Sequence, residues 1–104
     1  MKIKFGSIIE NINQMNNDIY SNQTPSEERI YIDFKDTHHT AQEIVEMINT
    51  NYTGTLTIVY EDDIEESFTG YKLDNVRKMY GEMGVQLTAE FVKLEELPES
   101  DIIE

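Results

Sequence analysis

Val85, Leu87, Ala89 and Phe91 alternate with Gln86, Thr88 and Glu90, a period of two that fits an extended strand with one buried and one solvated face. Such a strand cannot stand alone, so it commits the chain to a sheet and obliges other segments to supply neighbours. Ile30, Ile32 and Phe34 alternate in the same way with Tyr31, Asp33 and Lys35. Residues 55–60 are rich in β-branched side chains, and Ile64, Glu66 and Phe68 continue an alternation beyond the acidic turn at Glu61, Asp62 and Asp63, which predicts a β-hairpin. Ile3 and Phe5 alternate with Lys2 and Lys4 and predict a short opening strand that stops at Gly6. Over residues 71–80 the pattern is two-sided: Leu73, Val76 and Tyr80 suit a helix, while residues 75–80 equally suit a strand entering the turn at 81–84. The strand is preferred.

Two segments carry helical spacing. Ser7 followed by Glu10 fits a capping box, and Ile8, Ile12, Met15 and Ile19 recur at intervals of three and four, predicting a helix over about 8–20. Thr40 followed by Glu43 fits a second capping box, ahead of Ala41, Ile44, Val45 and Ile48 on one helical face. Residues 21–26, with Pro25, read as a loop between the first helix and the next strand. The order is therefore helix, strand, helix and then three or four strands, without the βαβ repetition of a doubly wound sheet. The expected fold class is α+β, a small antiparallel or mixed sheet of four to five strands with two helices packed on one face. A chain of 104 residues is the size of one domain, expected over 1–98, followed by an acidic, frayed C-terminal tail over 99–104.

Charge narrows the function. The chain carries 21 acids against 8 bases, a net charge of −13, yet 38% hydrophobic residues with six Tyr and four Phe supply a core. The excess is uneven, with eight acids in residues 1–52 and thirteen in residues 53–104, against four bases in each half. A surface this negative disfavours direct binding to a phosphate backbone. With no cysteine, disulfides, zinc-thiolate sites, iron–sulfur clusters and thiol nucleophiles are excluded. No apolar run approaches the roughly 18 to 20 residues of a membrane span, and the first residues lack the apolar stretch of a signal peptide. The expected location is cytoplasmic, in a bacterial host cell if the chain is phage-encoded.

Catalytic chemistry finds little to work with. No Ser or Thr stands in a glycine-flanked nucleophile turn, and the glycines at 6, 54, 70, 81 and 84 form no phosphate-cradling loop, so no catalytic residue and no cofactor are expected. His38 and His39, near Asp33, Asp36 and Glu43, invite a metal site or a general base. Adjacent histidines rarely point the same way and no HExxH spacing exists, so a solvated loop is the preferred reading. Residues 61–66 hold five carboxylates in six positions, without the glycine and ligand spacing of a calcium loop or the apolar, concave setting that divides the work of a glycosidase pair. That leaves a solubilising turn or an interaction face. In an extended strand alternate residues sit about 6.6 Å apart, so Glu61, Asp63 and Glu65 would form a row of negative charge, with Asp62 and Glu66 opposite. Glu90, Glu95 and Glu96 would extend this surface if the last strand lies beside the hairpin. Tyr31, on the face opposite Ile30, Ile32 and Phe34, is the tyrosine expected to be exposed for contact.

The small size, the absence of cysteine and the segment Tyr60-Glu61-Asp62-Asp63-Ile64-Glu65-Glu66-Ser67-Phe68-Thr69-Gly70-Tyr71 resemble small proteins of bacteriophages and prophages. In character the chain is similar to the small acidic anti-CRISPR and anti-restriction inhibitors, some of which occupy the DNA-binding groove of a nuclease. The resemblance implies a non-enzymatic inhibitor that presents a DNA-mimicking carboxylate surface to a basic, nucleic-acid-binding enzyme. Those inhibitors share no sequence pattern, so the residues named above rest on charge spacing alone. Two other readings stand beside it: a phage structural or assembly protein that self-associates through sheet edges, and a metal-binding or enzymatic domain using His38 and His39.

Overall fold

The computed structural model describes residues 1–22, 24–35, 39–81 and 84–94. Its elements are β1 (Lys2–Phe5), β2 (Ile8–Tyr20), β3 (Glu27–Phe34), α1 (Ala41–Asn51), β4 (Thr55–Val59), β5 (Glu65–Thr69), β6 (Lys72–Gly81) and β7 (Gly84–Leu94). All seven strands join one sheet in the order β5-β4-β1-β2-β3-β7-β6, and every neighbouring pair is antiparallel. The α+β expectation of four to five strands and two helices is therefore corrected: the protein is mostly β, with seven strands and one helix among the described residues. Among these residues no helix is long and apolar enough to cross a membrane.

The correction falls on residues 8–20, which form strand β2 rather than a helix. Ile8 lies opposite Phe5 and Ile12 opposite Phe34. A register shift between Ile12 and Gln14 then leaves Asn13 as an extra, bulged residue, after which Met15 lies opposite Ile32 and Ile19 opposite Glu28. Two-residue alternation with one residue inserted thus yields intervals of four, three and four, which mimic a helical face. The Gly6-Ser7 step that looked like a helix start is a two-residue hairpin loop, with Phe5 paired to Ile8 and a positive φ of 61° at Gly6. Glycine at the first central position is the preference of such turns.

The sheet is folded over on itself. β5 and β6 occupy opposite edges yet are separated in the chain by Gly70 and Tyr71 alone. Seven flat strands at about 4.8 Å spacing would hold those edges about 29 Å apart, a gap that two residues cannot span. Strand β2 makes the bend on the other side, pairing with β1 over residues 8–11 and with β3 over residues 12–20. A strand that changes partners at a bulge is the usual corner between two packed half-sheets. Consistent with this, the Phe5 and Phe91 rings stack with centroids 5.7 Å apart, although β1 and β7 are three places apart in the sheet.

The enclosed face holds Ile3, Phe5, Ile12, Ile30, Ile32, Phe34, Leu56, Ile58, Leu87, Ala89 and Phe91, all buried, and α1 adds Ile44 and Ile48. The helix begins where the sequence places it. The Thr40 side chain accepts from the Glu43 amide at 3.1 Å and the Glu43 carboxylate accepts from the Thr40 amide at 2.7 Å, so two otherwise free N–H groups are satisfied. The Thr40 amide also holds the Glu43 carboxyl below its ordinary range.

The far end of α1 rests on the β1–β2 turn, where a Cβ added to Gly6 would overlap the backbone carbonyl oxygen of Asn51. Gly6→Ala should therefore cost more than the about 1–2 kcal/mol of a left-handed backbone, because the helix end must also move. Gly84→Ala is the control, having a positive φ but nothing near the added carbon. In thermal unfolding followed by circular dichroism, Gly6→Ala should lower the midpoint by at least about 5 °C and by more than Gly84→Ala. Equal shifts would mean that the turn does not bear on the helix.

Candidate interaction surface

The acidic segment forms the tip and free edge of the β4–β5 hairpin. The Tyr60 amide donates to the Ile64 carbonyl and the Asp63 amide to the Tyr60 carbonyl, each at 2.9 Å, and Asp63 has φ 67°. This is a three-residue loop closed by a left-handed residue, a conformation that aspartate tolerates better than most side chains. The Asp62 Oδ1 accepts from the Ile64 amide at 3.3 Å and reinforces the loop.

The turn changes the expected geometry. Glu61, Asp62 and Asp63 lie in the loop and only Glu65 and Glu66 lie in a strand, so Glu61, Asp63 and Glu65 do not form an extended row. All five carboxylates are nonetheless exposed. Glu61 accepts from the Met1 amino group at 2.7 Å, which lowers the Glu61 carboxyl pKa. Glu65 meets Lys4 across the sheet at 3.2 Å. Glu66 accepts from the Tyr60 hydroxyl at 2.7 Å, which raises the pKa of that phenol. Among the described residues, no cation lies within ion-pair distance of Asp62, Asp63 or Glu66. An open depression of about 420 Å³ beside the turn is lined by Met1, Tyr60, Glu61, Asp62 and Ile64, and holds no nucleophile paired with a base.

Glu90 belongs to a different place. β7 lies between β3 and β6, far along the sheet from the β4–β5 hairpin, so Glu90 does not extend the acidic tip. Its side chain is 3% exposed and meets Arg29, Arg77 at 3.0 Å and the Asn75 amide at 3.3 Å. Arg29 also holds Glu27 at 2.6 Å and Asp74 at 3.1 Å, and Glu27 first, then Asp74, secures its charged form. Tyr31 is half-buried on this outer face, its phenol pushed up to about 12 chiefly by a hydrogen bond with Tyr20. Asp33 on the same face is buried between Gln14 and Thr88, at 2.6 and 2.7 Å. Glu95 and Glu96 lie outside the described residues.

The histidine reading divides at the same boundary. His38 is outside the described residues and His39 is exposed. Among the described residues no three His, Asp or Glu side chains gather as a metal site, Asp33 being engaged in the sheet and Glu43 in the helix cap.

Sequence reasoning passed over the basic counterpart of the acidic tip. Lys72, Arg77 and Lys78, three of the eight bases, lie on β6 at the opposite edge of the sheet, and Arg77, Lys78, Met79 and Tyr80 are all exposed. The clustering was visible in the sequence, but that β6 is an edge strand follows only from the topology. No protein-family model, curated protein or solved structure matches the chain.

Proposed function

We propose that this chain is a non-enzymatic binding domain that presents the carboxylates of its β4–β5 tip and β5 edge to a basic surface of a partner protein. The observation that carries this reading is the concentration of five exposed carboxylates at 61–66 on the end of an edge strand, only two of them balanced by a cation among the described residues. Negative charge at an exposed rim attracts and orients a positive partner over distances of about a Debye length. The same reading covers an inhibitor seated on a basic groove, since such a groove is recognised by local charge and shape rather than by a straight row.

Capture from a bacterial lysate tests it, with the wild-type chain compared against Asp62→Asn combined with Asp63→Asn. Both positions are exposed, and asparagine keeps the Oδ1 acceptor for the Ile64 amide and tolerates the positive φ at 63, so the turn should persist while its charge is removed. The wild type should retain a basic protein that elutes as salt rises, and the variant should lose it. Identical retention by both chains would remove the acidic tip from the binding surface.

A further inference from the structure

The free edges of the sheet complement one another. Six antiparallel steps separate β5 from β6, so the two edge strands run in the same direction. Parallel neighbours need a crossover of about a dozen residues or more, and only Gly70 and Tyr71 join β5 to β6. The monomer therefore cannot close its own sheet by pairing them, and among the described residues each keeps one row of backbone N–H and C=O groups without a strand partner. Open edges of this kind readily accept another strand.

We infer that the partner of the β5 edge is residues 77–81 of β6 in a second copy of this chain, joined in parallel as a continuation of the sheet. This names the basic surface required by the proposed function and rests on that reading. Charge and side-chain phase select the pairing. Setting residues 65–69 alongside residues 77–81 in parallel places Glu65 beside Arg77, Glu66 beside Lys78, and Phe68 beside Tyr80. The faces agree as well. Glu66 and Phe68 share the inner face with Ile58 and Leu56, while Lys78 shares it with Leu87. Glu65 and Arg77 both lie on the outer face, with Arg77 opposite Thr88. An antiparallel alignment of the same residues would set Glu66 against Tyr80 and Lys78 against Phe68, matching neither charge nor apolar surface.

The β6 side is presented for this contact. β3 pairs with β7 only as far as Thr88, so β6 and β7 continue beyond it as a two-stranded ribbon. Tyr80 at 77% and Met79 at 54% exposure stand on that ribbon, where tyrosine and methionine are favoured at interfaces. The contact is head-to-tail, because a copy that offers β5 still has β6 free, and it therefore builds rings or open chains rather than closed pairs.

Sedimentation of the purified full chain at low salt, from about 1 µM to about 1 mM, tests the inference. The wild type should gain mass with concentration. Glu66→Lys alone and Lys78→Glu alone should each weaken association by about tenfold or more, and an equimolar mixture of the two variants should recover it, because each then meets an opposite charge. Recovery in the mixture cannot come from a folding defect. A wild type that stays monomeric throughout, or variants that assemble as the wild type does, would overturn the inference. If the chain stays monomeric yet still captures a basic protein through Asp62 and Asp63, the proposed function survives and this partner does not. Loss of both results rejects both.

Discussion

Phe91→Ala should reduce the stability of the domain by about 3–5 kcal/mol, the usual cost of truncating a fully buried phenylalanine. The site gives no reason for a smaller loss. Phe91 is 0% exposed, stacks on Phe5 at 5.7 Å and meets Tyr52 edge-on at 5.4 Å, while Phe34 lies 6.4 Å from Phe5. The four rings come from β7, β1, the end of α1 and β3, so they bridge the two half-sheets and the helix. A neighbour cannot easily collapse into the void, because each ring is fixed to a different element. Urea unfolding followed by circular dichroism should show the midpoint falling by at least about 1 M for a slope of about 1–3 kcal/mol/M. Val85→Ala on the same strand, 57% exposed, should change stability by no more than about 0.5 kcal/mol. Similar losses at the two positions would mean that the ring cluster does not hold the halves together.

The same cluster shows why some of the fold could be read from the sequence and some could not. β3, β4, β5 and β7 each advertise themselves by two-residue alternation, and α1 by a capping box whose two reciprocal bonds are both present. In β2 the bulge at Asn13 converts alternation into an apparent helical period, and nothing local marks the inserted residue. The signal passed over is asparagine at 11, 13, 16 and 17, whose side chain competes for backbone hydrogen bonds and disfavours a helix. Strand order was hidden for another reason. Every antiparallel strand with one apolar face fits beside every other, so the folding-over at β2 and at Gly70-Tyr71 is decided by packing among residues far apart in the chain.

The candidate surface divides in the same way. Residues 61–66 were legible as an acidic turn because the turn is local. Glu90 faces away from Ala89 and Phe91 as its alternation requires, but outward does not mean exposed here, since Arg29 and Arg77 from the flanking strands close over it. The basic strip on β6 acquires its meaning from being an edge. A local acidic signal was therefore visible, while its complement on the far edge of the same molecule was not.

Arg29→Met should also cost about 3–5 kcal/mol at neutral pH, by leaving buried carboxylates without their principal cation. Glu90 is 3% and Glu27 13% exposed, and Arg29 contacts both as well as Asp74. Arg77 cannot replace it, since it reaches only Glu90 in this group and is itself 61% exposed; Arg77→Ala should cost no more than about 1 kcal/mol. Charge, rather than volume, makes the difference, and a second substitution separates the two. Adding Glu90→Gln to Arg29→Met should recover part of the loss, because the most deeply buried charge is then absent. Urea midpoints of the wild type, the two single variants and the double variant measure the effect. A penalty unrelieved by Glu90→Gln would place the contribution of Arg29 in packing by its aliphatic stem and not in the charges it gathers on the outer face.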